Sequence, residues 1–371
     1  MGLPGFMNRL HIVKSLWENE RTGVGRPLQY AVPVLAERGF QSIWLRLPQG
    51  RAVFGLLRRR EYPRYLLFNG FDCLLSTPRN LHWMALAAHL GIQTYLYSHE
   101  TGWVVEHYRK VYPRQLEQML AYLRRFPIHH LVTCQRAKDY VMHLVGVPSP
   151  RVSVVYNSVP DMANDARYAG LRLRPFEDKI VVAAVGSIQP RKGTDLFVEA
   201  ALQVLKHTDD FRFIWAGEGY DSFWQDCVTR VRQAGAEAKI RFVGYQDPSY
   251  YLLNGADMVV VPSRDDPLPL AGLEAMSWSK TVVCFDVGGL PEALAGTGYV
   301  IPEVDASKLA EQILTLGRRG REGLRCPAAR ERYLSQFTPE RFVERLLTIL
   351  MPESVEANRD KSKSAGANGS S

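Results

Sequence analysis

KIVVAAVGSIQPRKGTDLFVEAALQVL, residues 179–205, decides the fold. Its first half, through Val185, is a continuous apolar run. Such runs belong to strands buried on both faces, as in a parallel sheet covered by helices on each side. Gly186 opens a turn, and a helical pattern begins at about Thr194. The Thr194 hydroxyl is expected to cap that helix, and Asp195 suits its first turn. Arg191 and Lys192 are out of place by the same logic, because cations at a helix N-terminus oppose its dipole. A phosphate would reconcile them, with backbone N–H groups, Arg191 and Lys192 all directed at it. The plainer alternative is a solvated loop carrying two surface cations.

Working outward, strands and helices alternate. Strand candidates fall at 10–16, 40–47, 72–77, 94–98, 129–134 and 152–157, then at 179–185, 211–216, 240–244, 257–263 and 281–287. Helical patterns lie at 81–90 and 135–145, then at about 193–207, 221–235, 269–279, 305–317 and 327–351. Gly39, Gly91 and Gly146 stand where helices should stop. The alternation implies two doubly wound α/β domains, 1–165 and 166–336, facing each other across a cleft. The polar, turn-rich stretch 158–178 marks the linker. A last helix, 337–352, is expected to pack back on the first domain, and the polar tail 353–371 is expected to be disordered.

The chain has 371 residues, 46% hydrophobic and 23% charged, enough for two domains with real cores. Its apolar runs fall short of the ~18 residues a membrane-spanning helix needs. The first residues lack the pattern of a signal peptide, and Phe6 stands where myristoylation requires Ser or Thr. Five scattered cysteines (Cys73, Cys134, Cys227, Cys284, Cys326) form no C-x-x-C pair, so neither a disulfide frame nor a zinc site is expected. The net charge of +8 is uneven: residues 1–170 carry 21 Lys/Arg against 11 Asp/Glu. An anionic substrate, an anionic membrane or nucleic acid could balance that half. Nucleic acid is not expected, because no recognisable binding module accompanies the charge.

A second informative stretch is VPSRDDPLPLAGLEAMSWSKTVVCFDVGGLPE, 261–292. Pro269 suits a first helical turn. Gly272 inside the helix costs about 1 kcal/mol relative to Ala, and with Ala271 and Ala275 it leaves one face small. That face either admits a ligand or packs on a sheet. Asp266 and Glu274 offer carboxylates able to accept hydrogen bonds from sugar hydroxyls; the alternative is two surface caps.

These two segments, with NSVPD at 157–161, resemble glycosyltransferase family 4, retaining enzymes of the GT-B fold built from two Rossmann-like domains. The likeness is strong over 179–318 and weak before 150. It implies a hexosyltransferase whose donor is a nucleotide diphosphate-sugar. The element GSIQPRKG, with Gly186, Arg191 and Lys192, would hold the diphosphate. Asp266 would meet the transferred sugar and Glu274 the ribose, with the seven residues between them that the family's pattern has. Backbone at Pro269 and Leu270 would reach sugar or phosphate, and Val243–Gly244 the base. VGGLPE, 287–292, matches the segment that follows. Asp266 stands where the family usually has Glu, and Ser187 where many members have Arg.

In the first half, Gly23 and Gly25 open a helix from a loop that the resemblance places opposite the donor phosphates. His99 and Glu100 lie just past a strand end, where α/β sites form; the resemblance puts His99 beside the transferred sugar. Neither metal nor cofactor is expected. The resemblance implies metal-independent transfer, with retention, to a glycan or lipid-linked acceptor in cell-surface polysaccharide or glycoconjugate synthesis. Residues 51–67 mix five Arg with Phe, Leu and Tyr, suiting peripheral contact with an anionic leaflet, at the inner membrane face of a cytoplasmic protein, or else a solvated helix face. Two rival readings are a non-catalytic GT-B subunit that binds a glycan or partner, and a sucrose- or trehalose-type synthase with a soluble acceptor.

Overall fold

In the computed structural model, residues 8–14, 26–46, 73–76, 93–99, 102–165, 178–246 and 255–350 are described. Gly23, Gly25, Gly91, Glu100, the 51–67 stretch, the 81–90 helix and the 353–371 tail lie outside the described residues.

The first domain runs β1 (Asn8–Lys14), α1 (Arg26–Glu37), β2 (Phe40–Arg46), β3 (Cys73–Ser76), β4 (Gln93–Ser98), α2 (Gly102–Val111), α3 (Pro113–Arg125), β5 (His129–Val132), α4 (Gln135–Val145) and β6 (Val152–Val154). Its strands lie in the order β2-β1-β3-β4-β5-β6, all parallel. Gly39 and Gly146 end α1 and α4 with positive φ. The helices α2 and α3 escape the sequence reading; Pro113 starts α3.

The second domain runs β7 (Ile180–Val185), α5 (Thr194–His207), β8 (Phe211–Ala216), α6 (Ser222–Gln233), β9 (Ile240–Phe242), β10 (Met258–Val261), α7 (Leu270–Ser277), β11 (Thr281–Phe285), α8 (Leu290–Leu294), β12 (Tyr299–Ile301) and α9 (Ala306–Gly317). Two more helices follow, α10 (Pro327–Gln336) and α11 (Pro339–Leu350). The parallel sheet is ordered β12-β11-β10-β7-β8-β9. Strand order reverses between β7 and β10, which opens a crevice at their carboxyl ends.

The apolar strands are covered on both faces. Val182, Ala184, Phe213 and Trp215 pack with Phe197 of α5 and Leu309 and Ile313 of α9. Val181, Ala183 and Ile214 face the other way, toward Leu273 and Met276 of α7 and Tyr333 of α10. Full burial of each such side chain contributes about 1.5–3 kcal/mol, which is what makes a continuous apolar run a strand here.

The pattern read as one helix over 327–351 is two, because Pro339 cannot continue α10 and instead starts α11. The second of these leaves the C-terminal domain. Phe342, Val343 and Leu346 of α11 pack with Leu28, Ala31 and Leu35 of α1 and with Tyr97 and Leu131 of the first sheet.

Candidate functional site

The crevice between β7 and β10 is built by two loops tied to each other. Residues 190–192 form a single 3-10 turn, and Gly193, at φ 72°, leads into α5. A Cβ on Gly193 would lie 1.8 Å from the Pro262 carbonyl oxygen, so the two loops touch backbone to backbone. Gly193, not Thr194, is the capping residue; Thr194 is the first helical residue, and its buried hydroxyl has no hydrogen-bond partner among the described residues. The glycine supplies the left-handed conformation that threonine disfavours.

Arg264, which sequence reasoning passes over, is the staple. Its guanidinium makes two hydrogen bonds to the Asp195 carboxylate, at 2.8 and 2.7 Å, and a third to the Pro190 carbonyl at 2.7 Å. Burial works to raise the Asp195 carboxyl, but the Arg264 bonds and charge and the α5 amides outweigh it and hold it below the usual range. The same pairing pushes the Arg264 guanidinium up.

Arg191 and Lys192 find their counter-groups within the protein. Arg191 Nη1 donates to the Asp265 carbonyl at 2.9 Å. Lys192 Nζ is ion-paired with the Asp266 carboxylate, which is 6% exposed and also accepts from Ser263 Oγ at 3.5 Å. The conflict of two cations with the α5 dipole is thus met in part by the 265–266 loop. The loop is held from behind: Gly288, at φ 57°, would place a Cβ 1.6 Å from the Asp266 carbonyl oxygen.

Glu274 is buried on α7 at 2% exposure. The small residues around it do not leave an open face at Gly272, where a Cβ would sit 2.5 Å from Leu290 Cδ1. Packing against α8, not a ligand, explains that glycine. Pro269 is the cap of α7, one position outside the first turn, and Leu270 is its first residue. Val243 and Gly244 follow β9, their backbone laced to β8: Val243 N–H donates to the Trp215 carbonyl at 3.0 Å, and Gly217 N–H to the Gly244 carbonyl at 2.8 Å. Gly186 is joined in the same way to Ala216 at 2.9 Å.

The first domain contributes His99, the residue after β4. Its ring meets Tyr97 edge-on at 4.6 Å between centroids. The buried Nε2 has no hydrogen-bond partner among the described residues. Burial pulls its pKa down to about 4, while the Asp266 carboxylate works the other way. His99 thus feels the charge of a carboxylate on the other domain, 167 positions away in the chain. A histidine in this state is neutral near pH 7.

The seam beside the crevice is polar. Asn157 bonds both domains, through Tyr97 and the Leu268 carbonyl. Arg136 of α4 donates to the Asp286 carbonyl at 2.9 Å and to its carboxylate at 2.7 Å. Glu292 of α8 accepts from the Gln135 N–H and from Tyr156 Oη. The motif containing Glu292 is visible in the sequence; its partners, more than 130 positions away, are not.

Residues 179–318 match the family model described as "Glycosyl transferases group 1". The alpha-D-kanosaminyltransferase of Streptomyces kanamyceticus is 24% identical over 263 residues, 67% of this chain and 66% of the relative. A D-inositol 3-phosphate glycosyltransferase of Jonesia denitrificans is 30% identical over 233 residues, 60% of this chain and 54% of the relative. The chain thus spans less than two thirds of the length of these curated relatives. Among solved structures, Anabaena Alr3699/HepE in complex with UDP superposes with a TM-score of 0.72 at 15% identity, covering 93% of this chain and 99% of that one. WaaG, a glycosyltransferase involved in lipopolysaccharide biosynthesis, superposes at 0.67 with 14% identity over 92% and 99%. Two parallel, doubly wound sheets facing across a cleft, with that sequence match on the second, make this a protein of the GT-B glycosyltransferase fold whose residues 179–318 carry the glycosyl transferases group 1 pattern.

Proposed function

We propose that the chain is a retaining, metal-independent glycosyltransferase of the family 4 type, moving a hexose from a nucleoside diphosphate-sugar to a glycan or lipid-linked acceptor. The observation that carries this reading is the Lys192–Asp266 ion pair, with Arg191 held against the Asp265 carbonyl, at the crevice where strand order reverses. The fold neighbour's complex with UDP supports a nucleoside diphosphate there.

In this reading a donor diphosphate recruits Lys192 from Asp266 and takes hydrogen bonds from Arg191. The released Asp266 carboxylate accepts from a hydroxyl of the transferred sugar. Glu274, buried on α7, faces the ribose. As the bond from the anomeric carbon to the phosphate oxygen breaks, charge develops on the leaving diphosphate, where pre-placed cations act best. The acceptor oxygen attacks from the same face, and its proton passes to the leaving phosphate oxygen. His99, held neutral, adds no positive charge beside an anomeric carbon that is itself becoming positive. The basic first domain suits an anionic acceptor or an anionic leaflet, with the protein at the inner membrane face.

The test is transfer from UDP-, GDP- and ADP-sugars in excess EDTA, with the product anomer read by proton NMR before mutarotation. Turnover with retention is expected. Activity restored only by magnesium or manganese, or an inverted linkage, overturns it.

A further inference from the structure

One buried side chain carries both hydrogen bonds of a bridge between the domains. Tyr97 Oη donates to Asn157 Oδ1 at 2.6 Å. Asn157 Nδ2 donates to the Leu268 carbonyl at 2.8 Å. Tyr97, Asn157 and Leu268 are all 2% exposed or less. At one end the Tyr97 ring packs against Phe342 of α11, 5.8 Å away, and lies at 88° to the His99 ring. At the other end Leu268 lies two residues after Asp266 and two before α7, the helix of Glu274.

The chemistry of the three groups leaves one arrangement. A carbonyl oxygen can only accept, so the amide nitrogen must face Leu268 and the amide oxygen must face Tyr97. The phenol then has to donate, and burial raises its pKa well above the ordinary value, so it keeps its proton. Polar groups buried in this way contribute little net stability, since each first loses its water. Apolar side chains of the same volume would fill the space at no greater cost. What the two bonds add is a defined separation.

We propose that Asn157 is a positioning residue that sets the distance between His99 on the first domain and the Asp266–Glu274 segment on the second. The proposal rests on the reading of His99 and Asp266 as groups beside the transferred sugar and of Glu274 as the contact to the donor ribose. Asn157 itself touches neither donor nor acceptor. It holds the Leu268 backbone against β4, so that docking of the two domains brings the 266–269 loop to one place.

Two variants cut the bridge at different ends. Tyr97→Phe removes the donor to Asn157 and keeps the ring against His99. Asn157→Asp keeps an acceptor for Tyr97 but sets a carboxylate oxygen against the Leu268 carbonyl. Both are measured by steady-state kinetics, by calorimetric titration with UDP or GDP, and by NMR titration of the His99 imidazole. A misplacement of about 1 Å can cost on the order of 100-fold in rate, so kcat is expected to fall roughly 10- to 100-fold. The affinity for nucleoside diphosphate should stay within about threefold, because Arg191, Lys192, Asp266 and Glu274 all lie on the second domain and keep their mutual arrangement when its docking to the first domain shifts. The His99 pKa should rise from about 4 toward 6.5 as the ring gains water.

Parent-like kcat and an unmoved His99 titration in folded variants overturn the proposal. So does a matching loss of kcat and nucleotide affinity, which marks general loosening. If the parent transfers no sugar at all, the functional reading fails, and the His99 titration alone decides whether Asn157 sets the spacing. Should Asn157→Asp fail to fold, Tyr97→Phe carries the same readouts.

Discussion

Glu292, on α8 of the second domain, accepts a 2.8 Å hydrogen bond from the backbone N–H of Gln135, the first residue of α4 in the first domain. The opening N–H groups of a helix have no partner within it. One domain thus caps a helix of the other. The same carboxylate accepts from Tyr156 Oη at 2.5 Å, and Arg136 pairs with Asp286 alongside. Loss of an N-cap costs about 0.5–2 kcal/mol. Glu292→Ala is expected to lower stability by roughly that amount and to separate the unfolding of the two domains. Glu292→Gln, which keeps the acceptor but not the charge, should cost about 0.3–1 kcal/mol. Urea unfolding followed by near- and far-UV circular dichroism measures both; an unchanged single transition in Glu292→Ala would show the seam to be incidental.

The Lys192–Asp266 pair implies opposite effects at its two ends. A charge-assisted hydrogen bond is worth about 1.5–3 kcal/mol, so Lys192→Ala should weaken UDP or GDP binding by roughly one to two decades. Uridine or guanosine should bind as before. Asp266→Asn releases Lys192, so nucleoside diphosphate should bind at least as tightly as to the parent while sugar transfer falls. Calorimetry separates the two: equal loss of diphosphate and nucleoside affinity in Lys192→Ala removes the residue from the phosphate site.

Glu274→Gln keeps the volume of a buried side chain on α7. Stability should change by no more than about 1 kcal/mol, within the ordinary range of single substitutions. Turnover should nevertheless fall by one to two decades if the carboxylate meets the donor ribose. A folded variant with parental kcat and KM assigns Glu274 to packing alone.

His99 and His130 are two of the groups expected to make stability fall with acid. Both are held down to about 4, His99 chiefly by burial and His130 by burial together with Arg151 and His129. The unfolded chain protonates these rings near 6.5, and the native state does not. The unfolded state therefore binds more protons between about pH 6.5 and 4, and native stability falls as pH drops through that window. Each ring should contribute a slope on the order of 1 kcal/mol per pH unit. His130→Phe should remove its share, seen as a shallower dependence of the urea midpoint from pH 7 to 5. An identical slope in parent and variant refutes the assignment.

The parts of this molecule readable in the sequence are those set by neighbours in the chain. The apolar runs of β7, β8, β10 and β11 announce strands covered on both faces, and the glycines at 39 and 146 announce helix ends, where the structure has positive φ. His99 is visible because it follows a strand end. β12 is not, since three residues carry too little pattern. The break between α10 and α11 is masked because the apolar spacing stays helical through Phe337 and Phe342. What the sequence hides most is the long-range pairing. Arg264 meets Asp195 across 69 positions, Asn157 meets Leu268 across 111, and nothing local marks either. The gap left by Gly272 is legible, but its occupant, Leu290, is not.

The return of α11 to the first domain bears on how the polypeptide is made. Translation delivers α1 and the strands of the first sheet long before Phe342, Val343 and Leu346 leave the ribosome. Until then Leu28, Ala31 and Leu35 have no cover on that side. Nascent domains usually fold in order of synthesis. Here the domain begun first can be completed only after the second has been synthesised. A ribosome stalled anywhere between Gly193 and Gln336 should therefore present a collapsed but protease-sensitive first domain, which becomes resistant only once Leu350 has cleared the exit tunnel.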